Sequence, residues 1–413
     1  MEGWQSVVVP KAFDALVLDA RLRQALVAVR SLGRRHLAVA ALENSSAPPA
    51  FWSRWCRQGF ACQADDASPG YLAYLEQVLE RMGVGVLIPS ADGTIALLRR
   101  HRARLDARVR IALADEPSLA VVVNKERTLA MARHLGIGVP PSVVVGTASE
   151  VPAALNEIGL PAVVKPNESW AEGVGTRVVS QLVTTPGEAH RAVEALTRAG
   201  GVTLLQPLLS GRREAVSLLY ARGRIYARFA QWAKRTRPPL GGESIVRQSI
   251  AVPADIGRQA EQLVRELDLE GYCEVEFRRD GTGVPYLMEI NPRLSASVEI
   301  AVRSGVDFPY LLYQWASGGP IETVTGYRTG TWMRYLLGDI MTTIAAARQR
   351  GRPGVPPPAR AMLDFGLAFF QPMGYDCADW TDPLPAVKAA ANFMRQSVKV
   401  IGRTLPRSWK QVL

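Results

Sequence analysis

Two short runs near the middle of the chain decide its fold: they read Tyr272-Cys-Glu-Val-Glu-Phe-Arg-Arg279 and Tyr286-Leu-Met-Glu-Ile-Asn291. Both alternate polar with apolar residues, which is typical of strands with one polar face. The Asp280-Gly-Thr-Gly283 stretch between them is typical of a turn, so the two runs predict a β-hairpin. Alternation places Met288 and Ile290 on one face of the second strand. The acidic groups lie on the other predicted faces. On the first strand this face consists of Glu274, Glu276 and Arg278, and on the second it consists of Leu287, Glu289 and Asn291.

The polar side of this hairpin predicts a magnesium site formed by Glu276, Glu289 and Asn291. Carboxylates that lie side by side repel each other unless a cation neutralises them. Two carboxylates and an amide oxygen are ligands that Mg²⁺ prefers. Glu289 also stands in an apolar run, where an unpaired carboxylate would be costly. For Glu274 alone, a solvated position on an exposed strand face is an equally good interpretation.

Two lysines precede the hairpin in positions suited to anionic ligands. Lys165 ends an apolar strand and is followed by a polar loop, residues 167–176, which contains Gly173 and Gly175. A lysine beside such a loop can reach nucleotide phosphates while the loop amides cover them. Lys125 lies at the start of a predicted helix, and the GxxxxGK[ST] sequence of P-loops is absent. Either lysine alone would more often be a surface residue, so the prediction depends on their combination with the carboxylates.

The amino-acid composition argues against several classes of function. The chain has 413 residues, a net charge of +11 and only seven lysines among its 49 basic residues. These basic residues are dispersed without an aromatic-interleaved stripe, so nucleic-acid binding is the weaker interpretation. The four cysteines and four histidines match no metal-binding spacing, which favours a hard cation on carboxylates. No apolar run is long enough for a membrane span, and no secretory signal pattern is present, so a cytoplasmic protein is expected.

The order of predicted elements indicates three units. Residues 1–115 alternate strands and helices, among them a strand at 6–10 and a helix at 15–32, which predicts a Rossmann-like α/β domain. A glycine-rich dinucleotide loop is missing from it. Residues 116–320 are predicted as an α+β core with a small lid at about 140–205. Residues 321–413 form a partly helical extension with a basic end.

Residues 124–313 resemble the nucleotide-binding core of the ATP-grasp superfamily. The likeness is greatest to uncharacterised carboxylate–amine ligases and more distant to D-alanine–D-alanine ligase. The step from Glu276 to Glu289 and the Glu-Ile-Asn-Pro-Arg sequence that ends at Arg293 carry it most specifically. The resemblance implies an ATP-grasp fold, with a Rossmann-like pre-ATP-grasp domain, a central lid and a C-terminal mixed sheet.

The resemblance also implies individual roles. Lys125 and Lys165 would contact phosphates, and the loop with Gly173 and Gly175 would close over them. Glu276, Glu289 and Asn291 would hold magnesium. Arg247 and Arg293 would face the transferring phosphoryl group or the substrate carboxylate. The remaining nucleotide contacts would be the adenine hinge and the ribose-binding acid, namely Gln206, Pro207, Leu208, Leu209 and Glu214.

Two departures from the family pattern concern the nucleotide. Gln206 stands where an acid is common, and Arg212 and Arg213 precede Glu214 where fewer residues usually stand. The first change affects adenine contacts, and the second can move Glu214 out of register.

The implied activity is ATP-dependent amide formation between a small-molecule carboxylate and an amine through an acyl phosphate. ATP and Mg²⁺ are the implied cofactors, with two ions expected and Mn²⁺ as an alternative metal. Another carboxylate-activating reaction, with a thiol or bicarbonate as participant, stays open, as does a nucleotide-binding sensor or assembly protein with little turnover. A homodimer is the commonest assembly for such enzymes.

The basic end of the chain allows two interpretations. From residue 384 onward it carries six basic residues and no acidic one, interleaved with apolar residues. Such a segment can bind an anionic membrane surface. We favour instead a helix that packs its apolar face on the rest of the protein, because amphipathic helices usually serve a core.

Overall fold

The computed structural model of the chain describes residues 12–65, 68–171, 176–177, 179–198, 201–239 and 241–404. The predicted strand at residues 6–10 lies outside them. Within this part the chain forms a five-stranded, a four-stranded and a seven-stranded sheet and one two-stranded ribbon. None of the described helices combines the length and the apolar character needed to cross a membrane.

The first unit is a parallel sheet with strand order β3-β2-β1-β4-β5. Its three central strands are almost entirely buried, as expected for a sheet covered by helices on both faces. Its elements are β1 (Phe13–Leu18), α1 (Arg23–Arg34), β2 (Val39–Glu43), β3 (Gln58–Ala61), α2 (Pro69–Met82), β4 (Val84–Ile88), α3 (Asp92–Arg100), α4 (Arg102–Asp106), β5 (Arg110–Ile111) and α5 (Glu116–Val122).

The predicted helix at residues 15–32 is wrong at its start. Phe13–Leu18 is the central strand of the sheet, and the helix begins only at Arg23. All of the strand except Asp14 is buried. A strand covered on both faces lacks polar alternation, so its apolar run cannot be distinguished from a buried helix by period alone.

The second unit is an antiparallel sheet with order β10-β7-β11-β6, and a separate ribbon joins β8 to β9. Helices α7 and α8 cover one face over a small apolar core. Lys165 and Leu204 pair across the sheet on the opposite face. The elements are α6 (Lys125–His134), β6 (Val143–Val145), α7 (Val151–Ile158), β7 (Ala162–Pro166), β8 (Trp170–Ala171), β9 (Thr176–Arg177), β10 (Gln181–Val183), α8 (Pro186–Thr197) and β11 (Thr203–Pro207).

The third unit is an antiparallel sheet with order β16-β15-β12-β13-β14. One face packs on α9, and part of the other packs on α10 and α11. The predicted hairpin is confirmed as β15 and β16. The elements are β12 (Arg213–Ala221), β13 (Arg224–Arg237), β14 (Glu243–Ile250), α9 (Ala254–Glu266), β15 (Gly271–Arg279), β16 (Pro285–Asn291), α10 (Glu299–Ser304) and α11 (Phe308–Ala316).

A β-bulge in this hairpin overturns the predicted alternation of its second strand. Glu276 pairs with Glu289 and Phe277 with Leu287, which leaves Met288 without a partner residue. An extra residue in one strand shifts the side-chain alternation beyond it. Leu287 therefore packs in the same buried core as Ile290 instead of sharing the polar face.

The extension continues the third sheet through β17 (Trp332–Arg334), antiparallel to β14, and β18 (Gly374–Tyr375), parallel to β17. Its helices are α12 (Leu336–Arg348), α13 (Pro358–Leu367) and α14 (Leu384–Thr404). The loop after α12 reaches the second unit, because both terminal nitrogens of Arg352 lie 3.0 Å from the carboxylate of Glu188.

Helix α14 packs on the first unit. Asn392 Nδ2 donates to the carbonyl of Ala47 at 3.1 Å, and Lys388 Nζ lies 4.3 Å from the centroid of the Trp52 ring. This packing agrees with the favoured interpretation of the basic segment as far as its described side chains extend. Arg407 and Lys410 lie outside the described residues, so membrane binding by the basic end stays an open alternative.

Candidate active site

Two carboxylates face each other across the strands of the hairpin. Glu276 and Glu289 are directly paired across β15 and β16, and Asn291 Nδ2 lies 3.3 Å from an oxygen of each. Burial raises the pKa of Glu276 to about 7, an effect opposed by Arg213 and strengthened by Glu289. Burial also acts on Glu289, but Lys125, Lys165 and Arg213 outweigh it and lower the pKa of that carboxyl. Near neutral pH Glu276 is therefore the carboxyl of the pair that more readily carries a proton, and a cation bound between them would favour its ionised form.

This donor set fits a hard divalent cation. Within the described parts of the chain, no three His, Cys, Asp or Glu side chains are arranged to hold a metal ion. A cation at Glu276, Glu289 and Asn291 would thus have a few protein oxygens and would take its other ligands from water or phosphate. That division is typical of Mg²⁺ at nucleotide sites.

Two lysines face the carboxylates. Lys165 Nζ lies 3.8 Å from Sδ of Met288, the bulge residue, and Lys125 Nζ donates to Ser169 Oγ at 3.1 Å. Burial lowers the pKa of Lys165 to about 8, although Glu289 pulls it upward. The structure thus brings Lys125, Lys165, Glu276, Glu289 and Asn291 together at one cleft, as the sequence predicted.

The predicted phosphate-covering loop is anchored at its base. Lys125 N donates to the carbonyl of Asn167 at 2.9 Å, and Glu126 N donates to Asn167 Oδ1 at 3.0 Å. Beyond this base, β8 and β9 extend toward the first unit. Gly173 and Gly175 lie outside the described residues, so their part in covering a ligand stays a prediction.

Helix α3 of the first unit closes one end of the cleft. Trp170 of β8 lies against Gly93, where an added Cβ would come within 2.6 Å of the indole ring. At the next residue, Asp92 Oδ1 accepts from Arg293 Nε at 2.6 Å. The guanidinium of Arg293 is thereby held between the first unit and the carboxylate pair, and the charges of Asp92 and Glu289 raise its pKa despite burial.

The predicted hinge connects the second and third units. The Gln206 side chain is buried and donates from Nε2 to Ser142 Oγ at 2.8 Å. Leu208 N donates to the Pro161 carbonyl at 3.0 Å. Pro207 and Leu209 are half-buried beside them. The Gln206 side chain is therefore hydrogen-bonded to another residue of the second unit. Contacts of this segment with adenine stay a prediction.

Glu214 does not join the cleft. It pairs with Phe277, on the sheet face opposite to Glu276, and its carboxylate accepts from Arg279 Nε at 2.7 Å. Arg213 occupies the cleft face instead, with Nε 3.0 Å from Glu276. The expected ribose contact of Glu214 is corrected for this reason, since strand alternation assigns one of two neighbours to each face. The double arginine before Glu214 was the signal in the sequence for this shift.

Arg247 is also not available at the cleft. Its side chain is fully buried, and its two terminal nitrogens lie 2.5 and 3.0 Å from the carboxylate oxygens of Asp376 in the extension. Arg23 of α1 binds the same carboxylate and also Glu243. The predicted role of Arg247 at a substrate is therefore corrected to an ion pair between units. No local signal in the sequence connects positions so far apart.

Comparison with known protein families matches residues 202–337 to a family described as ATP-grasp in the biosynthetic pathway with Ter operon. D-alanine--D-alanine ligase B of Xanthomonas campestris pv. campestris is 30% identical over 219 residues, which cover 47% of this chain and 64% of that ligase. The chain thus spans less than two thirds of the length of this relative.

Solved structures extend the likeness to most of the chain. Biotin carboxylase from Campylobacter jejuni superposes with a TM-score of 0.63 at 14% identity, over 78% of this chain and 74% of that one. The purK N5-carboxyaminoimidazole ribonucleotide synthetase gives a TM-score of 0.62 at 12% identity, over 89% of this chain and all of that one. The fold of the chain is the ATP-grasp fold, and the protein is a distant relative of the ATP-grasp ligases.

Proposed function

We propose that the chain is an ATP- and magnesium-dependent ligase that joins the carboxylate of one small molecule to the amine of another. The observation that carries this proposal is the pairing of Glu276 with Glu289, with Asn291 between them and Lys125 and Lys165 opposite. The relationship to D-alanine--D-alanine ligase B supports it, since that name describes the joining of two amino acids.

The side chains of the cleft divide the work of holding a nucleotide. Magnesium on Glu276, Glu289 and Asn291 would neutralise the phosphates of ATP, and we expect two ions there. Lys125 and Lys165 bind phosphate oxygens from the opposite side. The β8–β9 ribbon covers the phosphates and excludes water, which strengthens every charge interaction beneath it.

The proposed reaction has two steps and needs no nucleophile from the protein. An oxygen of the substrate carboxylate attacks the γ-phosphorus while the bond to ADP breaks, which yields an acyl phosphate. An amine nitrogen then attacks the acyl carbon, and phosphate leaves. Arg293, held by Asp92, lies beside the carboxylate pair, where it stabilises negative charge that develops during both steps. Catalysis of this type depends mainly on positioning and electrostatics.

The proposal is tested by ADP and phosphate release from Mg-ATP with a panel of carboxylates, bicarbonate included, each with and without amines. Release that requires both partners, with an amide detected by mass spectrometry, supports the ligase. Release with bicarbonate alone would assign a carboxylating reaction. Tight ATP binding without stimulation by any pair would instead assign a nucleotide-binding protein.

The metal site gives a sharper prediction. Glu289→Gln should lower ATP turnover by at least about 100-fold, because it removes a charged ligand of the ion that stabilises the transferring group. The control is Glu261→Gln, which changes a partly exposed glutamate on α9 that pairs with Arg228. Unchanged circular dichroism with full activity in Glu289→Gln would contradict the metal assignment.

A further inference from the structure

A third carboxylate lies next to the Glu276–Glu289 pair. Glu274 is on the same sheet face as Glu276 and pairs with Asn291 across the hairpin. Its side chain is only 3% exposed. It accepts from Gln231 Nε2 at 3.0 Å and from Ser217 Oγ at 3.4 Å. Within the described residues, no lysine, arginine or histidine lies within salt-bridge distance of it, although its charge helps to raise the pKa of the nearby Arg213 and Arg293.

One neighbour of Glu274, the side chain of Gln231, carries an acceptor atom that has no hydrogen-bond donor. Gln231 is 4% exposed, and its Nε2 donates to both Glu274 and Ser297 Oγ, the latter at 2.7 Å. Its carbonyl oxygen Oε1 is buried without any partner. A buried carbonyl without a donor is unfavourable, and native proteins rarely retain one without a reason. The carboxylate of Glu274 and Oε1 of Gln231 would both be satisfied by a ligand that brings N–H groups and positive charge.

The cluster of Glu274, Gln231 and Ser297 lies at a suitable distance from the carboxylate pair. Residues two apart on one strand are separated by about 6.7 Å, so Glu274 is about that far from Glu276. Beyond Glu274 the same face is closed by Tyr272, which packs on Phe308 of α11. A group that enters from the cleft would therefore reach Glu274 with the Glu276–Glu289 pair on its other side.

We propose that this cluster binds the amine substrate, as the ammonium form of a primary amine such as an amino acid. The inference rests on the proposed ligase function and adds the amine site to it. The Glu274 carboxylate and Oε1 of Gln231 accept hydrogen bonds from the ammonium and hold its nitrogen in place. The ammonium loses one proton to water, and the neutral nitrogen then bonds to the acyl carbon of the acyl phosphate. The bond from that carbon to the phosphate oxygen breaks, and the departing phosphate takes the second proton.

Two half-reactions can be measured separately: formation of the acyl phosphate, and its attack by the amine. Hydroxylamine reports the first alone, because it is neutral near pH 7 and traps acyl phosphates without an ammonium site. Glu274→Gln keeps the shape of the side chain and removes its charge. We expect it to form hydroxamate from a carboxylate as the wild type does. Its KM for the amine probes L-alanine and methylamine should rise at least about tenfold, the effect of losing one hydrogen bond to a charged group. Its KM for the carboxylate should stay unchanged.

Two further variants are measured beside Glu274→Gln. Glu76→Gln changes a buried glutamate of α2 in the first unit and should leave both half-reactions unchanged. Ser297→Ala should raise the KM for the amines to a smaller extent, and it decides the question if Glu274→Gln does not fold. Binding of MgADP shows which variants are folded.

The experiment distinguishes failure of the amine site from failure of the proposed ligase function. An unchanged KM for both amines in Glu274→Gln and Ser297→Ala would overturn the amine site and leave the ligase intact. An equal loss of hydroxamate and amide with normal MgADP binding would also overturn it, because Glu274 would then act on the metal site. No hydroxamate from the wild type with any carboxylate would overturn the proposed function and the amine site together.

Discussion

At the scale of single residues, the charges of the cleft depend on one another. Lys165 is half-buried, and this burial lowers its pKa to about 8, while Glu289 and Glu276 act in the opposite direction. Lys165 is therefore only partly charged in slightly alkaline solution. A bound phosphate would favour the protonated lysine, so nucleotide binding and proton uptake are coupled.

This coupling predicts a pH dependence of nucleotide affinity. Affinity for MgADP should fall as the pH rises through about 8, because Lys165 loses its positive charge in the free protein. Lys165→Arg should flatten that dependence, since a guanidinium keeps its proton to a pH above about 12. Calorimetry between pH 6.5 and 9.5 measures both, with Lys388→Arg on α14 as control. Equal slopes for wild type and Lys165→Arg would contradict this role.

At the scale of elements, the cleft depends on a β-bulge and on a close contact between a strand and a helix. The bulge at Met288 aligns Glu289 with Glu276 while Leu287 stays in the core. The ribbon of β8 and β9 meets helix α3 at Gly93, which has no side chain to separate it from Trp170. The ribbon can therefore lie over the phosphate-binding side of the cleft only if this position stays small.

Gly93→Ala tests the contact between helix α3 and Trp170. Its Cβ would meet the Trp170 ring at 2.6 Å, so the ribbon must shift. We expect turnover to fall by about tenfold or more, since small displacements near reacting groups are costly. Thermal stability should change little, because alanine favours a helix more than glycine does. Gly366→Ala on α13 meets no atom within 4 Å and should leave turnover unchanged. Wild-type turnover in Gly93→Ala would show that the contact is dispensable.

At the scale of the whole molecule, one buried ion cluster joins the first unit, the third unit and the extension. Arg23 comes from the first unit, Arg247 from the third and Asp376 from the extension. Burial alone would raise the pKa of Asp376, but Arg247 and Arg23 outweigh it and hold the pKa below its ordinary value. The extension is thereby fastened to both the sheet and the N-terminal domain.

Asp376→Asn should lower the free energy of unfolding by about 3–5 kcal/mol, because it leaves the buried guanidinium of Arg247 without a carboxylate and leaves Arg23 with Glu243 alone. Asp364→Asn, at an exposed pair with Arg360, should cost at most about 1 kcal/mol. Denaturant unfolding measures both. The Asp376 contribution should be present above the ordinary carboxyl pKa of about 3.9 and be lost as the pH falls through its lower folded value. Equal costs for both variants would contradict the cluster's role.

The sequence by itself determined the features that depend on neighbouring residues. Strand alternation predicted the hairpin and the pairing region of Glu276 and Glu289, and the order of strands and helices predicted the N-terminal α/β domain. Lys125 and Lys165 also lie at the cleft as predicted. These features follow from local periodicity and from the chemistry of groups on one short segment, both of which are visible in a single chain.

Only the tertiary structure decided which side chains face the cleft and which partners they have. A strand has two faces, and the register of its neighbours assigned Arg213 to the cleft and Glu214 to the opposite side. Burial on both sides concealed β1 within an apolar run. Arg247 meets Asp376, and Glu274 meets Gln231, through contacts between distant parts of the chain. Such pairings depend on packing and desolvation, which no local pattern in the sequence records.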